Sequence, residues 1–292
     1  MPARFGIYDS NSADTVQSKK NLISDVFGKS ILRCEFLDAN YFKKGTRMKS
    51  MFIAVALLAT FTIPCLANGW FIDFEGGMAF PGYNDVQVPN DSTGTRFSLA
   101  DALNIESKPI YRIRAGYETG KNTFSLFAAP LSLEASGILP DEILFAEETF
   151  AEGTEVDALY RFDSYRATWR YLLVDNPGFL FKLGFTAKIR DAEIRVESDN
   201  QTASTTNTGF VPLLSFELRW VPAGNLTVLL EGDALVGPVG RAEDVFLGGE
   251  LPLSENIHAR VGYRIVEGGA DVESVYNFTL VNFATAGVTL NL

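Results

Sequence analysis

Beyond residue 68, apolar side chains recur at every second position, the period of a strand with two unlike faces. In IYRIRAGYE, Tyr111, Ile113, Ala115 and Tyr117 share one face, and Arg112, Arg114 and Gly116 share the other. NIHARVGYRI repeats the division: Ile257, Ala259, Val261, Tyr263 and Ile265 alternate with His258, Arg260, Gly262 and Arg264. In a third segment Phe179, Phe181, Leu183, Phe185, Ala187 and Ile189 oppose Lys182, Gly184, Thr186, Lys188 and Arg190. Ten strands follow from this pattern, near 69–81, 109–118, 122–135, 154–174, 178–197, 207–221, 225–236, 242–252, 256–266 and 275–292. DALNIESK, at 101–108, reads as a short helix within a loop.

The connectors alternate in length. ETGKN, VDNPG, VPAGN and LSEN are short, and longer segments centred on 82–108, 136–153, 198–207, 236–244 and 266–274 lie between them. An even strand number puts both ends of the chain on one side, with the short turns. That arrangement fits an all-β, transmembrane antiparallel barrel of about ten strands (eight or twelve being the neighbouring solutions), with short periplasmic turns and longer extracellular loops. Hydrocarbon offers a free strand edge no hydrogen-bond partner, so such a sheet must close on itself. A soluble sandwich also alternates, but its apolar face is the covered one. Here the polar face is thick with Arg and Gly, and no helical layer is present to cover the apolar face.

One strand breaks phase. In ALYRFDSYRATWRY, Ala158, Tyr160 and Phe162 hold one parity, and Tyr165, Ala167, Trp169 and Tyr171 the other. A bulge at Asp163-Ser164 would bring all of them to one outward face. Trp70, Tyr111, Tyr117, Tyr160, Tyr171, Trp220 and Tyr263 fall near predicted strand ends, where interfacial aromatic girdles lie.

The segment MKSMFIAVALLATFTIPCLA has a basic start, a short apolar core and a small residue, Ala67. Residues 48–67 therefore read as a secretory signal, and the mature barrel as 68–292. Residues 1–47 read as an unstructured or non-native leader, with Met48 as the translation start. Both cysteines, Cys34 and Cys65, fall before the barrel, which leaves it without disulfides or thiol chemistry.

Charge narrows the function. The chain has 25 Lys and Arg against 36 Asp and Glu, a net charge of −11, so a basic nucleic-acid footprint is absent. The face opposite the apolar one nevertheless carries many bases: Arg112, Arg114, Arg166, Arg170, Lys182, Lys188, Arg190, Arg219, Arg260 and Arg264. Its acids are Asp73, Glu75, Glu217, Glu231, Asp233 and Glu250. Facing one another inside a narrow barrel, these charges would pair and largely seal it. The alternative is a narrow anion-preferring channel with a basic wall.

The acids Asp141, Glu142, Glu147, Glu148 and Glu152 lie in a loop without a calcium-loop pattern and read as solvated. The lone histidine, His258, has Ser254 nearby in sequence, but spacing alone does not make a hydrolase. No phosphate loop, zinc signature or nucleophile elbow occurs, so neither a catalytic residue, a cofactor nor a metal is expected.

The signal segment, the strand YRFDSYRATWRYLL and the terminal strand VNFATAGVTLNL together resemble small Gram-negative outer-membrane β-barrel proteins, the OmpA/OmpW-like class without a periplasmic domain. That resemblance implies location in the outer membrane among its lipids, periplasmic chaperones in transit, insertion by the barrel-assembly machinery and a monomer. Many members of the class end in Phe or Trp, whereas Val288, Leu290 and Leu292 close this chain. A surface-binding receptor or adhesin and a barrel lipid hydrolase are the other functions that the class admits.

Overall fold

A computed structural model describes residues 69–292. The signal segment, the leader and both cysteines lie outside the described residues. The ten barrel strands are β1 (Trp70–Gln87), β2 (Lys108–Thr119), β3 (Asn122–Ala129, resuming as Ser132–Ile138), β4 (Glu155–Asn176), β5 (Phe179–Glu197), β6 (Thr202–Ala223), β7 (Leu226–Gly237), β8 (Gly240–Pro252), β9 (Ile257–Val272) and β10 (Val275–Asn291).

Each strand pairs antiparallel with the next in sequence. The last pairs back onto the first, from Phe71 opposite Asn291 to Gln87 opposite Tyr276, and this closes the barrel. Both described ends lie on the side of the short turns. Gly120, Gly178 and Gly224 take φ values of 57°, 81° and 58° there, a conformation that costs other residues a clash with their own Cβ.

Alternation becomes two faces. Leu126, Phe185 and Val261 are 62%, 60% and 67% exposed on the outside, whereas Thr186, Ser215 and Arg264 are 2%, 0% and 3% exposed on the inside. Trp70, Tyr171 and Trp220 sit on the outer face near the short turns. A continuous apolar belt of this extent is unfavourable in water and favourable in hydrocarbon.

The fourth strand corrects the sequence reading. Its even-numbered residues point inward from Val156 to Arg170: Val156, Ala158 and Tyr160, then Ser164, Arg166 and Arg170. Register with β5 runs without a shift from Asp157 opposite Glu197 to Leu172 opposite Lys182, so no bulge occurs at Asp163-Ser164. The register shift lies lower, where Leu173 is the extra residue. Strand phase is constant, and what reverses is the polarity of the surroundings. Tyr165, Ala167, Trp169 and Tyr171 face outward through the apolar belt, while Arg161 above them forms exterior ion pairs with Asp163, Asp191 and Glu193 at 3.4, 2.9 and 3.2 Å. Tyr160 is inside, 3% exposed, and is no girdle residue.

Above this level the barrel has the polarity of a water-soluble one. Ala79, Val86, Leu133, Ala135, Val156, Ala158, Tyr160, Ile194, Val196, Ala203, Val266, Val281 and Phe283 form an apolar core inside it. Two long loops fold onto that core. The first brings Leu99, from a one-turn helix, Leu99–Ala102, and Leu103 just after it. The helix is capped by Ser98 accepting from the Asp101 N–H at 3.2 Å, and it ends before most of the span 101–108 expected to be helical, where Asn104–Ile105 is strand instead. The second brings Leu139 and a hairpin of Ile143–Phe145 with Glu148–Phe150, in which Phe145 and Phe150 are fully buried. Backbone bonds join the loops, Thr95 N to Leu144 O at 3.0 Å and Ala146 N to Val88 O at 2.9 Å.

The remaining connectors on this side are shorter than their predicted spans, because β6, β8 and β9 extend beyond their predicted ends. Strand was expected where the outer face is apolar, and these extensions have a polar outer face.

Truncating Phe145 or Phe150 to Ala should leave a cavity at the centre of the upper core. Each change is expected to cost about 3–5 kcal/mol, read as a lowered urea midpoint for unfolding from lipid vesicles.

Candidate functional site

The interior below the apolar core is a lattice of ion pairs. Asp244 on β8 is its hub. Arg112, Arg166 and Arg264 reach its carboxylate at 2.6, 2.5 and 2.6 Å, from β2, β4 and β9. Glu75 on β1 accepts from Arg264 Nε at 2.8 Å and from Arg260 at 2.9 Å. Asp73 holds Arg260 at 2.7 Å and accepts from the Thr289 hydroxyl at 2.7 Å. Glu231 on β7 takes both arms of Arg114, at 2.8 and 2.9 Å, a planar match that only a guanidinium supplies.

Asp233 pairs with Arg166 at 2.8 Å and accepts from Thr186 at 2.8 Å. Towards the short turns, Glu217 meets Arg170 at 2.9 Å and Arg219 at 2.8 Å, while Glu250 meets Arg219 at 2.6 Å. Lys182 reaches Glu118 at 2.6 Å. Two inward rings separate the guanidinium groups. Phe127 lies 5.2, 5.4 and 5.0 Å from Arg112, Arg114 and Arg166, and Phe246 lies 5.4 and 5.2 Å from Arg260 and Arg264.

All the charges expected on the inner face point into the barrel. The pairing joins all of them except Lys188 and Arg190. Sequence reasoning missed Asp244, although the strand expected near 242–252 contains it; the residue sits where that strand overlaps the connector 236–244. Its parity matches that of Phe246 and Glu250 on the same strand, and this signal was readable. Glu118 was also missed. It sits at a strand end, where alternation gives least information.

The lattice leaves little space. A cavity of about 260 Å³ opens among Asp73, Arg114, Glu118, Lys182, His258 and Arg260, at the short-turn end. The next void, among Arg166, Asp233 and Asp244, is about 20 Å³, close to the room one water needs. Further in lie the apolar core and its two loops. His258 borders the larger cavity, its Nδ1 3.4 Å from Glu250. Among the described residues no cluster of His, Cys, Asp or Glu is arranged to hold a metal ion.

This architecture matches a solved outer-membrane protein. The outer-membrane protease OmpT of Escherichia coli superposes with a TM-score of 0.50 over 78% of this chain and 99% of its own, at 7% identity. The fold is that of an outer-membrane β-barrel.

Neisserial surface protein A, at 15% identity and a TM-score of 0.31, covers 76% of this chain and 97% of its own. Ail, the attachment invasion locus protein of Yersinia pestis, stands at 11% and 0.34, over 76% and 99%. No protein-family model matches the sequence, and neither does any curated protein. The barrel's apolar belt thus faces the bilayer, and its ion-pair lattice lies at membrane depth. Its exterior ion pairs around Arg161 stand beyond the hydrocarbon.

Removing the hub leaves three guanidinium groups without their shared anion. Asp244→Asn is expected to destabilise the folded barrel by about 3–5 kcal/mol, whereas Arg161→Gln, which breaks only partly exposed pairs on the outer face, should cost about 1 kcal/mol or less. Urea titrations of the two variants in the same vesicles compare these costs.

Proposed function

We propose that this protein is a sealed, monomeric outer-membrane barrel with a structural role, occupying the membrane without opening an axial path through it. The observation that carries this reading is the stacking of two obstructions of opposite chemistry. The ion-pair lattice fills the membrane half, and the apolar core with its folded-in loops fills the upper half.

A conducting pore of this width would need a continuous water column beside its charges. Here the side chains themselves occupy the bore, and the guanidinium groups are neutralised in place instead of lining a wall. The anion-channel reading is weaker for the same reason, since the carboxylates among the bases cancel most of the field that would draw an anion inward. The loops fold into the barrel mouth and bury their apolar residues, which favours a lid over a free recognition surface. His258 faces a carboxylate at the periplasmic end, away from the outer leaflet where a lipid hydrolase would act. Reaching this site requires outer-membrane lipid around the belt, periplasmic chaperones before insertion and the barrel-assembly machinery.

Folded protein inserted in a planar bilayer should show no reproducible conductance steps, with insertion verified independently by protease protection. Regular steps would contradict the sealed reading. If replacement of Arg112, Arg114, Arg260 and Arg264 lowered their anion preference, the narrow channel would take its place.

A further inference from the structure

The barrel wall is not continuous at every height. Strands β6 and β7 pair from the short-turn end up to Leu214 opposite Ala234, and there the pairing stops. Residues 202–213 continue upward with β5 on one side only, and no strand among the described residues pairs with their other edge. On the far side of this seam, Leu235, Val236 and Gly237 pair with β8 but not with β6. Pro212 lies in the separated stretch, and a proline is tolerated in a sheet where its missing N–H faces an edge.

The seam starts within the apolar belt. Phe210 and Leu214, 63% and 47% exposed, face outward on its β6 side. On its other side the hairpin tip presents Val236 and Val239, 71% and 57% exposed. Hydrocarbon alone does not satisfy an open strand edge, so something polar must reach this one at the level of the outer leaflet.

Behind the seam lie the two bases that the lattice does not join. Lys188 is 3% exposed and has no carboxylate within ion-pair distance, its ammonium resting 4.7 Å from the Phe162 ring centre. Arg190 likewise has no carboxylate partner. Its guanidinium lies across Gly209 on β6, where an added Cβ would come within 3.3 Å of it, and it donates to the Asn207 side chain. Its Nε is buried without a hydrogen-bond partner. In a barrel that pairs its other inner charges so thoroughly, two unpaired bases beside an open edge indicate an anionic visitor.

We propose that the seam between β6 and β7 is a binding site for an anionic amphiphile. The acyl chain lies along Phe210, Pro212 and the hairpin tip, and the phosphate or carboxylate head enters between the strands to meet Arg190 and Lys188. The head also hydrogen-bonds the open edge of β6. A second copy of this chain added to that edge would satisfy the backbone but leave both bases uncompensated, so the charge favours the amphiphile. Entry is from the side, so the proposal does not depend on whether the barrel axis conducts.

The test uses the folded chain in dodecyl maltoside micelles, with dodecyl phosphate, dodecylphosphocholine and inorganic phosphate as probes. Amide resonances of Phe210, Val211 and Leu213 report occupancy. Dodecyl phosphate should shift them saturably, dodecylphosphocholine should bind at least tenfold more weakly, and inorganic phosphate should leave them unmoved at the same concentration. The variant combining Lys188→Met and Arg190→Gln, shown to be folded by its heat-modifiable migration, should lose the preference for the anionic head. Should that variant not fold, the wild-type comparison of the three probes decides alone. Equal affinity for both detergents would overturn the proposal, as would equal affinity for inorganic phosphate. Dimerisation through the seam, seen by light scattering without detergent preference, would assign the edge to a second copy instead.

Discussion

A barrel of ten strands is too narrow to hold bulk water around charged side chains, yet its outer face is already committed to hydrocarbon. Inward charges therefore find their counter-charges mainly on other strands, with Lys188 and Arg190 the exceptions. This constraint organises the molecule. Asp244 takes guanidinium groups from β2, β4 and β9, and Glu231 takes them from β2 and β4. Such pairs contribute little net stability compared with apolar packing, because desolvation offsets most of their attraction. What they supply is register. A slip of one residue in any strand would turn its lattice members toward lipid and its aromatics inward, a cost far above that of one lost pair.

The same logic explains why the interior changes character with height. Where hydrocarbon surrounds the barrel, the outside is apolar and the inside is polar. Where water surrounds it, Arg161, Asp163, Asp191 and Glu193 occupy the outer face and the interior can be apolar. The core of Phe145, Phe150, Leu133 and Tyr160 then forms by ordinary hydrophobic burial, with the two long loops adding side chains to those of the wall. One strand, β4, serves both regimes without changing phase.

Much of this was legible in the chain. Alternation in segments such as IYRIRAGYE and NIHARVGYRI located strands and divided their faces, since each lies wholly within the membrane regime. The failures share one cause. In YRFDSYRATWRY the apolar parity switches because the solvent outside switches, and a reading that held lipid to be everywhere needed a bulge to explain it. The same assumption cut β6 and β9 short at their upper ends, and Asp244, where the expected strand 242–252 meets the connector before it, was left out of the inner charges. The inward folding of the loops left no periodic trace, because contacts such as Phe97 against Phe145 join segments far apart in sequence.

The reversal of polarity along β4 is the central claim, and spin labels placed singly along that strand's outer face test it most directly. Collision with oxygen should dominate at 165, 167, 169 and 171, and collision with a water-soluble nickel chelate should dominate at 157, 159, 161 and 163. Oxygen-dominated collision at 157–163, or lipid contact by labels at 158, 160 and 162, would contradict it and restore the bulge with a single outward apolar face.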